Sequence, residues 1–374
     1  MSAADDRRFM AAALAIGRQG LGRTSPNPSV GAVVVAPGTD GPVIVGLART
    51  ADGGRPHAEP IALDAAGARA AGATMYVTLE PCSHHGKTPP CADAAIRAGI
   101  RRAVVAIEDP NPLVAGVGVA RLLEAGIEVD VGLGAAEARR DLAGHISRMT
   151  RGRPHMCLKL AVSADGAIGR RGEGQIAISG PASRARAHLL RAECDAIAVG
   201  VGTILADDPA LTCRLPGMTA CSPLRVVFDS AARTPPTARL FADIATVPVL
   251  VVVGEGADSA RTAALAAAGA DILVVPRDGA HVDLSAALVA LAQRGITRVL
   301  VEGGAGLADA MVAADLIDEV QWIDAPTRIG PGGTLPIAGR GLAALAERFE
   351  IIQVETIGDD RWTHLWRREC SQAS

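Results

Sequence analysis

Aromatic residues and lysines are scarce in this 374-residue chain. Phenylalanine, tryptophan and tyrosine make up 2% of it, whereas 49% of the residues are hydrophobic. The core must therefore be packed mainly with small aliphatic side chains, and the composition excludes a disordered or fibrous protein. Of the 37 basic residues, only Lys87 and Lys159 are lysines. A general replacement of lysine by arginine explains most of this bias, and the two remaining lysines are candidates for positions that need a compact ammonium group.

The chain also lacks long apolar runs and clusters of like charge. Residues 247–253 form one of the longest strongly apolar stretches, which is too short to cross a membrane, and residues 5–8 are charged where a signal peptide is apolar. The formal net charge is −3, and no long run of basic residues occurs. These features predict a protein that does not span a membrane, is not secreted and does not bind nucleic acid.

The cysteine content argues against a disulfide framework. The 7 cysteines are an odd number spread over a long chain. This usage favours a reducing compartment, with free thiols or metal ligands. We therefore predict a cytoplasmic protein.

Alternating strand and helix patterns predict two α/β domains. Over residues 1–147 a hairpin is followed by alternating helices and strands, which is typical of a three-layer α/β domain. The polar stretch 148–154 interrupts this pattern and is the predicted linker. A larger α/β domain then covers residues 154–374, with a partly antiparallel edge near the C-terminus.

The strongest signal for chemistry is a set of metal-ligating residues in the first domain. His57, Cys82 and Cys91 supply one imidazole and two thiolates, which leaves the fourth tetrahedral position of a zinc ion for water. Glu59, two residues beyond the histidine, is placed to take a proton from that water. The H-x-E and P-C-x-x-C patterns are typical of zinc-dependent nucleobase deaminases, although here residues 83–90 separate the cysteines.

The long insert between the cysteines has more than one interpretation. It could be a surface loop in which His84 and His85 are neighbours by chance, or one of them could complete a structural zinc site. Because a closed site would give Glu59 no structural task, we favour a catalytic zinc. His84 and Lys87, in a loop made rigid by glycine and proline, are suited to binding a phosphate.

Four motifs in the first domain resemble the bifunctional deaminase-reductase family of riboflavin biosynthesis. They are SPNPSVG at 25–31, HAE at 57–59, TLEPCSHHGKTPPC at 78–91 and EDPNP at 108–112. The resemblance implies a cytidine-deaminase-like fold and a phosphoribosylaminopyrimidine substrate. It also implies that the 5′-phosphate is held by His84 and Lys87, and the pyrimidine and ribose by Asn27, Asp109 and Asn111. From the residues alone, the two asparagines beside prolines are equally well explained as turn formers.

The resemblance continues through the second domain, in the motifs LKLAVSADG at 158–166, GTILADDPALTCR at 202–214 and VEGG at 301–304. It implies a dihydrofolate-reductase-like fold with NADPH as the hydride donor. The family's substrate contacts fall on Arg191, Asp207, Leu211, Arg214 and Glu302, and Lys159 is a candidate for a hydrogen bond to the sugar. From the residues alone, Arg191 could instead lie on a solvated helix face and Lys159 in a strand-end salt bridge.

The family's cofactor contacts fall on Val162, Thr203, Asp207, Ser230 and the segment 304–310, which begins with Gly304, Ala305 and Gly306. Gly303 and Gly304, between a strand and a helix, let backbone amides approach a pyrophosphate, although a glycine-rich turn without a ligand is the alternative. One position departs from the family. Ala177 occupies the place of a tryptophan in the family's Ser-x-Trp-Ile-Thr motif, so an aromatic wall beside the cofactor is missing.

We therefore predict a two-step enzyme that uses zinc to deaminate a phosphoribosylated diaminopyrimidine and NADPH to reduce its ribosyl group to a ribityl group. We expect a small-molecule substrate and a homo-oligomer. A nucleic-acid deaminase is the first alternative, but it would need a basic surface rich in aromatic residues. The second alternative is a zinc-stabilised module whose second domain only senses a nucleotide.

Overall fold

The computed structural model describes residues 1–84, 89–111, 114–339 and 341–368. Its internal contacts divide the chain into two compact units, Met1–Arg153 and Pro154–Ser374. Each unit has its own hydrophobic core around its own sheet. Both units combine helices with a β-sheet, which confirms the predicted α/β class.

A five-stranded sheet forms the centre of the first unit. Its strands are β1 (Gly31–Ala36), β2 (Val43–Arg49), β3 (Thr74–Val77), β4 (Arg102–Val105) and β5 (Glu128–Val131). They lie in the order β2-β1-β3-β4-β5. β1 pairs antiparallel with β2 and β3, and β3, β4 and β5 run parallel. Every residue of β1 is buried, as its unbroken run of small apolar residues requires.

Helices cover this sheet and carry the residues with predicted chemistry. They are α1 (Ala3–Arg18), α2 (Ala58–Ala66), α3 (Cys91–Ala98), α4 (Val117–Glu124), α5 (Ala135–Asp141) and α6 (Ala143–Arg151). α1 contacts α5, whereas α2 contacts α3 and α3 contacts α4. α1 and α2 both pack on β1. This arrangement is the predicted three-layer domain. It places the starts of α2 and α3 side by side.

Helix α6 occupies much of the stretch that we predicted as a linker. Ser147 in this helix is 3% exposed, and its hydroxyl donates to the carbonyl oxygen of Arg153 at 2.9 Å. Ile146 packs against the core, whereas Thr150 and Arg151 are exposed. The segment is therefore an amphipathic helix. Its polar side resembles a linker when composition alone is considered.

A nine-stranded sheet forms the centre of the second unit. Its strands are β6 (His155–Val162), β7 (Ala196–Gly200), β8 (Leu224–Phe228), β9 (Val249–Gly254), β10 (Asp271–Val275), β13 (Arg298–Glu302), β14 (Glu319–Asp324), β15 (Phe349–Ile357) and β16 (Asp360–Arg367), while β11 (Arg277–Asp278) and β12 (His281–Val282) pair separately. The order is β10-β9-β8-β7-β13-β6-β14-β16-β15. Neighbours from β10 to β14 run parallel, and β16 and β15 are antiparallel, which confirms the predicted edge.

The helices of the second unit are α7 (Pro181–Ala192), α8 (Val201–Asp207), α9 (Ser259–Ala267), α10 (Leu284–Gln293) and α11 (Ala305–Ala313). The strand-helix pattern predicts all of them except α8. That helix is short and follows β7 directly, so its few apolar residues do not show a helical period. Its position at the end of a parallel strand places Thr203 and Asp207 near the carboxyl edge of the sheet, where α/β sheets bind ligands.

Candidate active sites

His57, Cys82 and Cys91 converge where two helices begin. His57 is the N-cap residue of α2, and Cys91 is the first residue of α3. The Nδ1 atom of His57 lies 3.7 Å from Cys82 Sγ and 3.4 Å from Cys91 Sγ. A tetrahedral zinc ion with Zn–N bonds of about 2.0 Å and Zn–S bonds of about 2.3 Å places such atoms about 3.6 Å apart. The three atoms therefore fit a zinc ion.

The start of α3 favours the ionised form of the Cys82 thiol. The backbone N–H of Cys91 donates to Cys82 Sγ at 3.3 Å. Mainly because the Cys91 side chain also hydrogen-bonds to it, the pKa of the Cys82 thiol is lowered to about 4. Thiolates rather than thiols bind metals, so this environment prepares Cys82 as a ligand.

Glu59 is the buried carboxylate of the site. It lies in the first turn of α2 and is 3% exposed. Burial raises the pKa of its carboxyl group to about 7, and its Oε2 atom has no hydrogen-bond partner among the described residues. Burying a carboxyl oxygen without a hydrogen bond lowers the stability of the fold, and such groups are typical of active sites. Glu59 is therefore available to exchange a proton with a molecule beside the metal ligands.

The ligand cluster contains three side chains among the described residues. They are His57, Cys82 and Cys91. His84 is exposed and does not belong to this cluster, and His85 lies outside the described residues. These three side chains are the predicted ligands, whereas the open fourth position stays a prediction.

The other predicted contacts of the first site lie in two loops. The side-chain amide of Asn27 donates to the Gly54 carbonyl oxygen at 2.8 Å, which joins two loops that are 27 residues apart in the sequence. Asp109 Oδ1 accepts the backbone N–H of Asn111 at 2.9 Å. Although burial acts to raise it, the pKa of Asp109 is lowered by His145, whose Nε2 atom lies 3.6 Å from Asp109 Oδ1, by the Asn111 N–H and by the nearby His84. Lys87 lies outside the described residues.

Sequence reasoning missed Glu80, whose hydrogen bonds hold the segments around the site together. Its carboxylate is 4% exposed and accepts three backbone N–H groups, from Asp109 at 3.0 Å, Gly116 at 2.9 Å and Val119 at 3.0 Å. It therefore connects the segment that carries Cys82 to the Asp109 loop and to the start of α4. Its place in the TLEPC motif was a signal, but the partners are too distant in sequence to be predicted.

In the second unit, Lys159, Arg191 and Glu302 form one buried cluster. Arg191 donates to both carboxylate oxygens of Glu302, with Nε to Oε1 at 2.7 Å and an Nη atom to Oε2 at 2.8 Å. Lys159 Nζ lies 3.9 Å from Glu302 Oε2. The side chain of Arg191 is 12% exposed, so it does not lie on a solvated helix face. The salt bridge considered for Lys159 is present.

The ionisation of Glu302 in this cluster can be tested by measuring how the stability of the fold changes at acidic pH. Burial acts to raise its pKa, but Arg191 and Lys159 lower it from 4.5 to about 2. The carboxylate therefore stabilises the fold above the unfolded pKa, and this contribution is lost as the pH falls from 4.5 towards 2. We expect Glu302→Gln to lower the free energy of unfolding near neutral pH by about 3 kcal/mol, because two buried cations lose their partner.

Tryptophan fluorescence reports the unfolding of the second unit alone. The tryptophans of the chain, Trp322, Trp362 and Trp366, all lie in that unit. Denaturant titrations followed by tryptophan fluorescence measure the difference between Glu302→Gln and the parent. The difference in the free energy of unfolding between the two chains should become smaller at a pH of about 3, because the stabilisation from the ionised Glu302 of the parent is being lost there. A difference that stays constant over this range contradicts the assignment of an ionised Glu302.

The remaining predicted substrate residues lie in the segment after α8. Asp207 is the last residue of that helix, and burial raises its pKa. Leu211 is buried. The backbone N–H of Arg214 donates to His188 Nδ1 at 3.3 Å, and Arg191 and Glu302 act electrostatically on Arg214. The segment therefore approaches the Glu302 cluster. His188, which the sequence did not suggest, belongs to the same neighbourhood.

Thr203 and the Gly303-Gly304 turn form a cradle at the start of α11. Gly304 is the N-cap residue of this helix, which continues through Ala305 and Gly306. A Cβ atom on Gly304 would lie 2.7 Å from Thr203 Oγ1, and that buried hydroxyl has no partner among the described residues. The glycines therefore keep the space beside the helix N-terminus open. An anionic group such as a cofactor pyrophosphate fits the backbone N–H groups there.

The other predicted cofactor residues are distributed around this sheet. Val162 ends β6 and lines a cavity of about 720 Å³ with Asp324 and Arg361. Ser230 follows β8, and its hydroxyl accepts the Val282 N–H at 2.9 Å. Ala177 is exposed in the segment between β6 and α7.

Comparisons with known proteins identify the family of each unit. Residues 154–362 match the family model described as the RibD C-terminal domain, and residues 3–107 match the cytidine and deoxycytidylate deaminase zinc-binding region. The riboflavin biosynthesis protein RibD of Bacillus amyloliquefaciens is 40% identical over 357 residues, which are 94% of each chain. The chain belongs to the RibD family. The Escherichia coli K12 RibD is 38% identical over 96% of this chain and 99% of its own length.

Solved RibD structures extend the likeness to the fold. Acinetobacter baumannii RibD has a TM-score of 0.82 at 34% identity and covers 97% of this chain and 99% of its own. The Thermotoga maritima diaminohydroxyphosphoribosylaminopyrimidine deaminase/5-amino-6-(5-phosphoribosylamino)uracil reductase has the same TM-score at 31% identity and the same coverage. These findings confirm the predicted deaminase-like and reductase folds. Among the described residues, no helix has the length and apolar character to span a membrane.

Proposed function

We propose that the first unit deaminates the pyrimidine and that the second unit reduces the ribosyl group of the product. As a RibD protein, the chain is a bifunctional deaminase and reductase of riboflavin biosynthesis that uses zinc and NADPH. The observation that carries the assignment of the first unit is the three-ligand cluster of the described residues beside the buried carboxyl group of Glu59.

In the first unit, His57, Cys82 and Cys91 would hold the zinc ion. A zinc ion held in this way supplies a Lewis acid that makes water a nucleophile near neutral pH. Glu59 Oε2 would accept one proton from the attacking water and deliver it to a ring nitrogen of the pyrimidine. It would then take the second proton from the hydroxyl added to the ring carbon and deliver it to the amino group, which leaves as ammonia while the ring carbon becomes a carbonyl. Burial of Glu59 excludes bulk water from this transfer.

The loops beside the zinc ligands would bind the rest of the substrate. Asp109, held by Glu80 and Asn111, offers a carboxylate to the polar edge of the pyrimidine or to ribose hydroxyls. Asn27 and Asn111 border the same site. His84 and Lys87 are assigned to the 5′-phosphate because they combine positive charge with hydrogen-bond donors.

In the second unit, the cradle at the start of α11 would hold NADPH, with contacts from Thr203, Gly304, Ala305 and Gly306. Bound NADPH supplies the hydride that reduces the ribosyl carbon. Val162, Ser230 and Ala177 are assigned to the walls of the same cofactor site. Asp207 faces both the cofactor and the substrate.

The substrate of the second unit would lie against the Glu302 cluster. Glu302 and Lys159 are placed to hydrogen-bond ribose hydroxyls, and Arg191 holds Glu302 in a fixed orientation through two hydrogen bonds. Arg214 would contact the phosphate, and Leu211 would pack against the base. The positive charges of this cluster match a phosphorylated sugar.

A coupled assay with the full-length chain tests this assignment. The diaminopyrimidine is supplied first without NADPH, and ammonia release should be observed. When NADPH is present from the start, its absorbance should fall only after a lag, because only the deaminated compound is reduced. Supplying the deaminated uracil directly should remove the lag. Immediate NADPH oxidation with the diaminopyrimidine, or no ammonia release, contradicts the assignment. A homo-oligomer remains our prediction for the assembly.

A further inference from the structure

The segment 207–214 of the second unit has an unusual backbone. Asp208 has a φ of 41° and Leu211 a φ of 55°, although neither is a glycine. Left-handed conformations at such residues persist only where the surrounding structure fixes them. Because the segment carries Asp207, Leu211 and Arg214, whatever fixes it also fixes three assigned substrate residues. We call residues 207–214 the substrate loop.

Hydrogen bonds to residues outside the substrate loop hold both of its ends. Asp208 Oδ1 accepts the N–H of Arg239 at 2.7 Å, and Arg191 donates to the Thr212 carbonyl oxygen at 2.9 Å. Ser222 Oγ accepts the N–H of Cys213 at 3.0 Å. These contacts fix the ends. They leave the middle of the loop, next to Leu211, to be fixed by another group.

Arg225 provides that contact. It lies in β8 and its side chain is 0% exposed. One Nη atom donates to the Ala210 carbonyl oxygen at 3.2 Å and to Asp243 Oδ1 at 2.5 Å, and the other donates to the Val247 carbonyl oxygen. The guanidinium therefore bridges the substrate loop to the turn at residues 243–247, which precedes β9. The carbonyl it holds belongs to the residue immediately before Leu211.

Burying the charged side chain of an arginine completely has a large desolvation cost. Its desolvation cost is often not recovered by a single ion pair, and well-packed hydrophobic residues frequently replace such pairs without loss of stability. Within the described part of the chain, its Nε atom has no hydrogen-bond partner, and its carboxylate partner, Asp243, is 43% exposed. Stability alone therefore explains this arginine poorly, whereas its contact with a strained loop gives it a specific task.

We propose that Arg225 is a positioning residue for the reductase: it holds the carbonyl of Ala210 and thereby keeps Leu211 in the left-handed conformation that presents the substrate loop to the ribosyl phosphate. This inference rests on the proposed function of the loop. Among the described residues, the hydrogen bonds of Arg225 go to Ala210, Asp243 and Val247 and not to the predicted cofactor cradle.

The test compares Arg225→Met with the parent in the full-length chain. The first readout is the rate at which a thiol reagent labels Cys213, which lies in the loop and is fully buried. Peptide mapping separates it from Cys157 and Cys194, which are buried elsewhere in the same unit and report its global opening. We expect labelling of Cys213 alone to rise by about tenfold, since a loop held by one fewer charged hydrogen bond opens more often.

The second readout separates binding from chemistry. With the deaminated uracil as substrate, its KM should rise by about tenfold, while the KM for NADPH and the rate of ammonia release by the first unit stay at parental values. Arg298→Met is the matched control, because Arg298 is also a largely buried strand arginine but is paired with Glu319. It should lower the stability of the unit, so that labelling of Cys157, Cys194 and Cys213 rises together, without raising Cys213 labelling relative to the other two and without raising the substrate KM.

Each result decides a different part of the inference. Unchanged labelling of Cys213 in Arg225→Met overturns the positioning role. Faster labelling with an unchanged substrate KM shows that Arg225 holds the loop but that the loop does not bind substrate, which overturns the proposed function of the loop as well. If Arg225→Met does not fold, Arg225→Lys receives the same measurements, because it keeps one donor for either Ala210 or Asp243 but not for both.

Discussion

Replacing Glu59 with glutamine is expected to lower ammonia release by about a thousandfold, which is within the usual range for the loss of a general acid-base group. Glutamine has nearly the same shape, but it cannot accept and return a proton at the position of Oε2. Zinc content should stay at the parental level, because Glu59 is not one of the three ligand side chains. Ammonia release and bound zinc are measured on the same preparation.

Asp64→Asn is the matched control for this variant. Asp64 lies on the same helix, α2, but is exposed, so this substitution changes the same charge without touching the site. It should leave ammonia release unchanged. In the Glu59→Gln chain, NADPH oxidation with the deaminated uracil should also remain, whereas NADPH oxidation with the diaminopyrimidine should disappear. Near-normal ammonia release from a zinc-loaded Glu59→Gln chain would show that another group moves the proton.

Replacing Cys91 with serine is expected to remove both zinc and deamination. Serine is a poor zinc ligand, and even the loss of a residue behind a ligand lowers metal affinity or activity 10- to 100-fold, so the loss of a ligand should exceed about 100-fold. The first unit should also unfold at a lower denaturant concentration, since metal binding stabilises the fold. Elemental analysis and ammonia release measure the loss, and far-ultraviolet circular dichroism follows unfolding.

The reductase provides the internal reference for the Cys91 variant. The cysteine lies in the first unit, so NADPH oxidation with the deaminated uracil should be unchanged. Cys221→Ser, at a half-buried cysteine outside the ligand cluster, should keep full zinc. Retention of stoichiometric zinc by the Cys91→Ser chain would mean that other side chains complete the metal site.

The zinc site could be predicted because its chemistry is local in sequence. An H-x-E pair and two cysteines need only a helix start on each side to converge, and the alternation of strands and helices supplied both. Most elements were predicted for the same reason, since their apolar periods are contained in short windows. The sequence patterns predict helices over residues 91–98 and 305–313 and strands over residues 155–162 and 298–302. The structure has α3, α11, β6 and β13 over these ranges.

What the sequence did not reveal depends on contacts between distant residues. Glu80 receives N–H groups from residues 109, 116 and 119, and Arg225 contacts a carbonyl at position 210. Neither pairing produces a periodic or spaced pattern. The helix α6 was missed for a different reason, because its polar residues resemble a linker until Ser147 and Ile146 are seen to face the core.

The pairing of Arg191 with Glu302 shows how the two kinds of information combine. Family resemblance placed both residues among the substrate contacts, but it gave no reason for an arginine to lie beside a glutamate. The structure shows that Arg191 fixes the carboxylate and also holds the Thr212 carbonyl of the substrate loop. The cluster therefore works as a unit, and substitutions within it should not have additive effects.

The central claim is that His57, Cys82 and Cys91 hold a zinc ion and leave one position for solvent. Zinc-edge X-ray absorption spectroscopy of the purified full-length chain tests it most directly, together with the zinc content. We predict stoichiometric zinc whose spectrum fits two sulfur ligands, one imidazole and one oxygen. A spectrum that requires a second imidazole or a third sulfur, or a preparation that deaminates without bound metal, would contradict the account.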